Sequence, residues 1–424
     1  MDTEDHEGLL ELTLWADNMR QAWRAVKAND GAGGVDGKNI AQTAQHLKRH
    51  WPTIARQIRR GQYRPGAIRE VQIPKPNGGT RTLGIPNVQD RLIQQALLQV
   101  LQERFDADMS THSYGYRPGR SPQQAVLAAR ALVDRGKRWV VDIDLKDFFN
   151  QIDHDILLRE VGNKVMDAKL RRLIALYLRA PTRDAQGQQR KRSKGVPQGA
   201  PLSPLLSNIY LNLLDQELER RGVSFVRYAD DIAIYAGSLQ AAQRIYEGVV
   251  RWLREYLRLE VNPDKSGVGP TDDSSLLGYR IRSDASLHLA PRSVKRYKER
   301  VREHWNARRS LGLEEHRQQW QQFIRGWANY FGLVTSKRAI ESLSGWTRRH
   351  MRKYMWQRWH DRKGRRNALQ RLGLRGRILG MASSRLGAWA LSKQAVLQRA
   401  LPNARLKASG FLTPSDLVGP SGAC

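Results

Sequence analysis

Cysteine is almost missing from this chain. Its 424 residues include a single one, Cys424, at the last position. No disulfide can therefore close within the chain, and no zinc site can be built from several thiolates. Long apolar runs are missing too. No stretch reaches the roughly 18 consecutive apolar residues that a membrane-crossing helix needs. Residues Met1 to Gly8 are acidic and lack the basic and apolar regions of a secretory signal. These absences predict a cytoplasmic protein with no membrane partner. Negative charge is also in short supply: 41 Asp and Glu face 72 Lys and Arg, a formal net charge of +31.

That excess is uneven. Residues 291–424 hold 29 basic and 7 acidic residues, against 43 and 34 in residues 1–290. A pI near 10.7 with the basic residues massed at one end predicts a polyanionic partner, nucleic acid above all. Seven of the twelve Trp also lie after residue 290. A disordered basic tail would be poor in aromatics, so this region is expected to fold, mainly as helix. The length allows two or three domains, each with its own core.

Within so basic a chain, two acidic spots stand out. Phe225 to Ala236 reads as two apolar, β-prone runs flanking Asp230 and Asp231, the pattern of a tight hairpin. Adjacent carboxylates repel one another and ionise more easily with a cation between them. A hard-metal site and a solvated turn both fit these residues. The second spot is Val140 to Leu145. Alternation puts Asp142 and Asp144 on one strand face and Val141, Ile143 and Leu145 on the other. Two acids on a core-like strand are costly unless paired or metal-bound, or unless the strand is an edge with that face in water. A metal site joining the two spots requires a shared sheet.

The remaining segments supply the context. Apolar residues from Leu9 to Val26 recur at spacings of three and four, predicting an amphipathic helix over 9–27. It stops at the glycine-rich turn 29–34, read as structural, and a second helix runs from about Ile40 to Arg60. Strands at 68–75 and 80–86, joined through Asn77-Gly78, form a hairpin carrying Arg69, Lys75 and Arg81. Cations on a rigid ribbon could clamp a triphosphate or simply be solvated. Ser113 to Ser121 is a loop of Tyr, Arg, Gly and Pro. Gly195 to Pro204 is a proline-rich loop entering a long apolar helix, with Ser203 as the expected cap and Pro204 at its first position.

The order of these segments carries more than any one of them. Ile-Pro-Lys with a later Arg, Tyr-Gly-Tyr-Arg-Pro-Gly, Asp-x-x-x-Phe-Phe, Pro-Gln-Gly with Pro-Leu-Ser-Pro, Tyr-Ala-Asp-Asp, Asn-Pro-x-Lys and Leu-Gly-Tyr occur in succession. The chain resembles the bacterial group II intron-encoded reverse transcriptases over nearly its whole length. After residue 290, Arg325 to Phe331 and Trp346 to Trp359 are similar to that family's thumb or maturase region.

The resemblance implies an α+β right-hand polymerase, with fingers and a palm built on an antiparallel sheet hairpin, followed by an α-helical thumb/maturase domain. The implied division is an N-terminal helical extension at 1–40, fingers and palm at 41–288, thumb/maturase at 289–365 and a basic nucleic-acid-binding region at 366–424. The implied catalytic residues are Asp144, Asp230 and Asp231, holding two Mg²⁺ ions. Arg69, Lys75 and Arg81 match the triphosphate-holding residues of the fingers. Phe149 matches the aromatic that excludes a ribose 2′-hydroxyl, Pro197 and Gln198 the loop beside the nucleotide, and Lys265 a position near the departing pyrophosphate. Arg117, Lys295, Arg296, Lys298, Arg300, Arg348, Arg349, Arg352 and Lys353 are the expected nucleic-acid contacts. Trp327, Trp346, Trp356 and Trp359 are expected in helix cores rather than as base platforms.

Implied partners are group II intron RNA, an RNA template with a DNA primer, target DNA and dNTPs; a homodimer stays open. Many relatives carry an endonuclease domain with His and paired Cys. The chain ends at 424 without one, so the resemblance implies the compact form, which does not cut DNA itself. The rival readings are a maturase with no polymerase role and a free-standing reverse transcriptase in defence or repair.

Overall fold

The computed structural model describes residues 8–74, 79–308 and 312–418, so Lys75 lies outside the described residues. The strands in chain order are β1 (Ile68–Pro74), β2 (Thr80–Ile85), β3 (Trp139–Asp144), β4 (Thr182–Arg183), β5 (Gln189–Arg190), β6 (Ser224–Tyr228), β7 (Asp231–Ala236), β8 (Gly267–Pro270), β9 (Tyr279–Ile281) and β10 (Leu287–Leu289). The chain divides into two compact units. One comprises Met1–Ala128 with Lys137–Gly269; the other comprises Ala129–Gly136 with Pro270–Cys424. Among the described residues no helix is long and apolar enough to cross a membrane.

The first unit holds two four-stranded sheets, ordered β2-β1-β4-β5 and β6-β7-β3-β8. In the second of these, β3 is central. It pairs antiparallel with β7 in a register that sets Asp144 opposite Asp231, Ile143 opposite Ile232 and Asp142 opposite Ala233. β6 and β7 pair from Ser224↔Tyr235 to Tyr228↔Asp231. The edge-strand alternative for Asp142 and Asp144 is therefore excluded. Val141, Ile143, Phe225, Ile232 and Ile234 join one buried cluster with Leu205, Leu206, Ile209 and Leu253. Helices Ser203–Arg220 and Leu239–Leu257 supply those last four residues. The burial of this face turns the alternate residues of β3, the two acids, away from the core.

Local chemistry fixes the helix starts. Asn39 and Gln42 form a reciprocal capping box on Ile40–Arg59, and the Asp153, Asp167 and Ser238 side chains cap the helices that follow them. Two expectations need correction. The helix predicted over 9–27 is broken at Trp15, which is extended, leaving Leu9–Leu14 and Ala16–Asn29. The Asn18 side chain donates to the carbonyls of Thr13 (2.8 Å) and Ala96 (3.1 Å), replacing helical bonds at the break. Ser203 does not cap its helix either. Its hydroxyl donates to the Pro197 carbonyl at 2.7 Å and ties the proline-rich loop to the helix. The glycine-rich turn is structural: Arg91 donates to the Gly31 and Ala32 carbonyls, and a Cβ on Gly34 would collide with Asn87.

The second unit pairs the β9–β10 hairpin with helices Pro291–His304, Leu313–Phe331 and Lys337–Arg358, followed by shorter helices to Leu417. Its core is aromatic: Tyr297, Trp305, Trp320, Tyr354 and Trp356 are fully buried. Trp305 makes edge contacts with Trp320, Tyr354 and Phe411 at 5.2–5.4 Å. The stretch near the end of the chain is folded onto this core. Trp320 Nε1 donates to the Leu412 carbonyl at 2.8 Å, and the Ser415 amide donates to Ser344 Oγ at 2.8 Å.

Candidate active site and nucleic-acid face

The Tyr228↔Asp231 pair leaves Ala229 and Asp230 as a two-residue turn, with Ala229 in the left-handed region at φ 57°. Two supports hold that turn. From below, the buried Arg227 donates to the Ala229 carbonyl at 2.9 Å and Asn208 Oδ1 at 2.9 Å, and its Nε donates to Asp215 at 2.7 Å. From the side, the Tyr114 amide donates to the Arg227 carbonyl and the Arg227 amide to the His112 carbonyl, both at 2.9 Å. Gly115 is required there, because a Cβ on it would lie 2.2 Å from the Ala229 nitrogen.

The end of β3 is held as firmly. The Asp144 amide donates to Ser266 Oγ at 2.8 Å, and the Asn262 amide donates to the Asp144 carbonyl at 2.8 Å. The loop thus docked brings Lys265 Nζ to 3.7 Å from Asp144 Oδ2. Loss of hydration, then repulsion from Asp230, Asp144 and Asp142, pushes the Asp231 carboxyl up to about 6. Asp230 is raised for the same leading reason, with Arg81 opposing and Asp144 adding to the rise. The carboxylates from the two strands therefore crowd one another electrostatically. Among the described residues, no group of three or more His, Cys, Asp or Glu side chains is gathered closely enough to hold a metal ion by itself, these three acids included. Open carboxylate sites of this kind suit Mg²⁺, which keeps waters and substrate phosphates as ligands. Like charges pressed together on rigid strands are the donor chemistry that a divalent cation relieves.

Beside the acids lies a second group. Arg81 Nε donates to Gln198 Oε1 at 2.5 Å, and the Gly84 amide donates to the Gln198 carbonyl at 2.8 Å. A Cβ on Gly84 would lie 3.0 Å from Pro197, so β2 and the Pro197-Gln198 loop are in close contact. The Phe149 carbonyl accepts from the Val196 amide at 2.7 Å, and its largely buried ring meets Phe148 edge-on. Arg81, Pro197 and Gln198 are thus gathered together. Arg69 pairs with Ile85 and Arg81 with Ile73, which puts the two arginines at opposite ends of the β1–β2 ribbon. Arg69 Nε is buried without a hydrogen-bond partner among the described residues.

The expected nucleic-acid contacts divide. Lys295, Arg296 and Arg300 are exposed on Pro291–His304, while Lys298 stands 5.7 Å over the ring of Trp346, beside Arg302 at 5.5 Å. Arg117 is corrected. It is buried, with Nε 2.6 Å from Asp106 and Nη1 donating to the Ser110 and Ser113 carbonyls, so it anchors its loop rather than meeting a ligand. Arg352 is corrected too: it is buried and donates to the Leu401 carbonyl and Asn403 Oδ1. Arg348 donates to Thr413 and Ser415, and Arg349 stacks 3.9 Å from the Trp389 ring centroid. Lys353 is half-buried. This second basic face is spent largely on holding residues 389–416. Trp327 and Trp356 are core residues as expected, whereas Trp346 is half-buried under its two cations. Sequence reasoning missed Arg227 and Asn208. Asn208 falls within the apolar run Leu205–Leu211 of the helix Ser203–Arg220, where an amide flanked by buried residues signals a buried partner.

Asp144 and Asp231 face each other on paired antiparallel strands, Asp230 stands in the adjoining turn, and Arg81 and Gln198 are joined beside them. The family model for reverse transcriptase (RNA-dependent DNA polymerase) matches residues 73–281, and that for the group II intron maturase-specific domain matches residues 294–373. Protein YkfC of Escherichia coli K12 is 32% identical over 314 residues, covering 64% of this chain and 82% of that one. The putative COX1/OXI3 intron 1 protein of Saccharomyces cerevisiae is 36% identical over 221 residues, 50% of this chain and 25% of that one. The group II intron-encoded protein LtrA of Lactococcus lactis is 36% identical over 210 residues, 49% of this chain and 34% of that one. The chain thus spans a quarter to a third of the length of those two intron proteins. It belongs to the group II intron-encoded reverse transcriptases and carries their maturase-specific domain.

Proposed function

We propose that the chain copies RNA into DNA at the Asp144–Asp230–Asp231 cluster and holds its intron RNA with the helical unit to assist splicing and mobility. The observation that carries the polymerase half is the register that sets Asp144 opposite Asp231, with Asp230 next in the turn. These three carboxylates would hold two Mg²⁺ ions. Bound there, such ions lower the pKa of an attacking 3′-hydroxyl and stabilise the leaving pyrophosphate.

The chain's own residues do the rest. Arg81, braced by Gln198, faces the triphosphate, with Arg69 and Lys75 as further cations toward it. Lys265, beside Asp144, offsets charge on the departing pyrophosphate. Pro197 and Gln198 flank the nucleotide. Phe149 presses on the sugar where a 2′-hydroxyl would be. The functional division we assign is extension 1–40, fingers and palm 41–288, thumb/maturase 289–365 and a basic nucleic-acid-binding region 366–424. Partners are the intron RNA, an RNA template with DNA primer, target DNA and dNTPs.

Primer extension on an RNA template, paired with splicing of the cognate transcript, tests this reading; purified protein that does neither contradicts it. Phe149→Ala is expected to admit ribonucleotides more readily, measured as the ratio of kcat/KM for rNTP and dNTP. An unchanged ratio removes Phe149 from the sugar contact. On the helical unit, Lys295→Gln with Arg296→Gln should lower the slope of log K against log salt by about 1.5 for intron RNA, near 0.7–0.9 for each phosphate no longer neutralised. An unchanged slope places the RNA elsewhere.

A further inference from the structure

One aromatic side chain at the acidic cluster is used by nothing so far described. Tyr116 follows Gly115, the residue whose backbone lies against the Tyr228-Ala229 turn. It is 44% exposed and stands at φ 58°, a conformation that a bulky residue rarely adopts. Its neighbours on either side hold it there. Asn208 Nδ2 donates to the Gly115 carbonyl at 2.8 Å, and Arg117 is fixed to Asp106, Ser110 and Ser113. Among the described residues the Tyr116 side chain makes no hydrogen bond or ring contact of its own. The flanking anchors fix the backbone on both sides of a half-exposed ring that makes no polar contact of its own. Strained residues over-determined in this way gather at functional sites.

The groups around it identify what it faces. Reduced hydration raises the Tyr116 phenol's pKa, the negative charge of Asp230 adds to the rise, and Arg81 opposes it. The ring therefore stands within the field of both the carboxylate pair and the fingers arginine. On the proposed polymerase reading, the reacting nucleotide must lie between those two groups. We propose that Tyr116 presents its ring to the nascent base pair, the incoming dNTP against its template base, and so sets nucleotide affinity. A π-face serves every base alike, as a copying enzyme requires.

The test uses Tyr116→Gly, since glycine accepts the left-handed backbone without strain and should leave the fold intact. On an RNA template, the dNTP KM is expected to rise about tenfold, a typical effect of removing one base–ring stack. kcat should stay within about threefold, with the primer–template Kd and the thermal midpoint not worsened. Tyr116→Phe keeps the ring and should keep KM within about twofold of wild type. A Tyr116→Gly enzyme with wild-type KM overturns the inference. So does one that loses primer–template binding and thermal stability together, which would make the ring a loop brace. Wild-type protein serves as the control: if it extends primers while KM is unmoved in Tyr116→Gly, Tyr116 alone is misassigned. If wild type does not extend, the polymerase reading falls with it.

Discussion

Asp231→Asn is expected to abolish primer extension on an RNA template, by about 10³-fold or more, while leaving the fold intact. Asparagine is nearly isosteric, so the β3–β7 pairing has no steric reason to change. What it removes is one charge from a cluster that the register forces together. The pKa of the Asp231 carboxyl is raised by some loss of hydration and by the charges of Asp230, Asp144 and Asp142, although the residue itself is exposed. The substitution should therefore relieve repulsion in the metal-free protein, and the thermal midpoint without Mg²⁺ should not fall. Asp144→Asn should behave alike from the other strand, with RNA binding largely retained. Normal extension by either variant would remove these carboxylates from the chemistry. Lost extension together with lost stability would make them structural.

Arg227→Met should cost about 3–5 kcal/mol of stability, read as a shift of the denaturant midpoint of the first unit. Arg227 and Asp215 are both wholly buried and joined by two hydrogen bonds. Removing the arginine leaves an uncompensated carboxylate in the core. It also frees the Ala229 carbonyl, which Arg227 holds from beneath the Ala229-Asp230 turn. The double substitution Arg227→Met with Asp215→Leu should recover most of the stability, because it removes both charges. Extension should stay impaired, because the turn still lacks its support. A single substitution costing less than about 1 kcal/mol would mean that the pair is not desolvated as described. Full activity in the double variant would show that the turn needs no such brace.

The acids were legible in the sequence because alternation makes a strand's two faces readable. Asp142 and Asp144 had to share a face, and a tip between two apolar runs had to be a turn. Their meeting was not legible from residues alone; it required the pairing of β3 with β7, a contact between segments some ninety positions apart. Arginines were the least legible class. Arg117 and Arg352 read as surface cations because charged side chains are seldom buried unless paired. Their partners, Asp106 in one case and the Leu401 carbonyl in the other, lie elsewhere in the chain. A helical wheel held part of the answer: Ser344, Arg348 and Arg352 follow at intervals of four on the same stripe as the buried Ile340. The break at Trp15 was only partly local: Asn18 reaches back to the Thr13 carbonyl, but it also reaches the Ala96 carbonyl of another helix.

Iron-mediated cleavage tests the central claim most directly. With primer–template and dNTP bound, Fe²⁺ replacing Mg²⁺ and supplied with hydrogen peroxide and ascorbate should reduce the peroxide to hydroxide and a hydroxyl radical at the ion site, ascorbate returning Fe³⁺ to Fe²⁺. The account predicts backbone cuts in two distant segments, around Asp144 and around Asp230-Asp231. Both should fade together as Mg²⁺ is added back, and both should be lost in the Asp144→Asn, Asp231→Asn double variant. Cuts confined to one segment, or cuts that persist in the double variant, would contradict a metal site shared by the two strands.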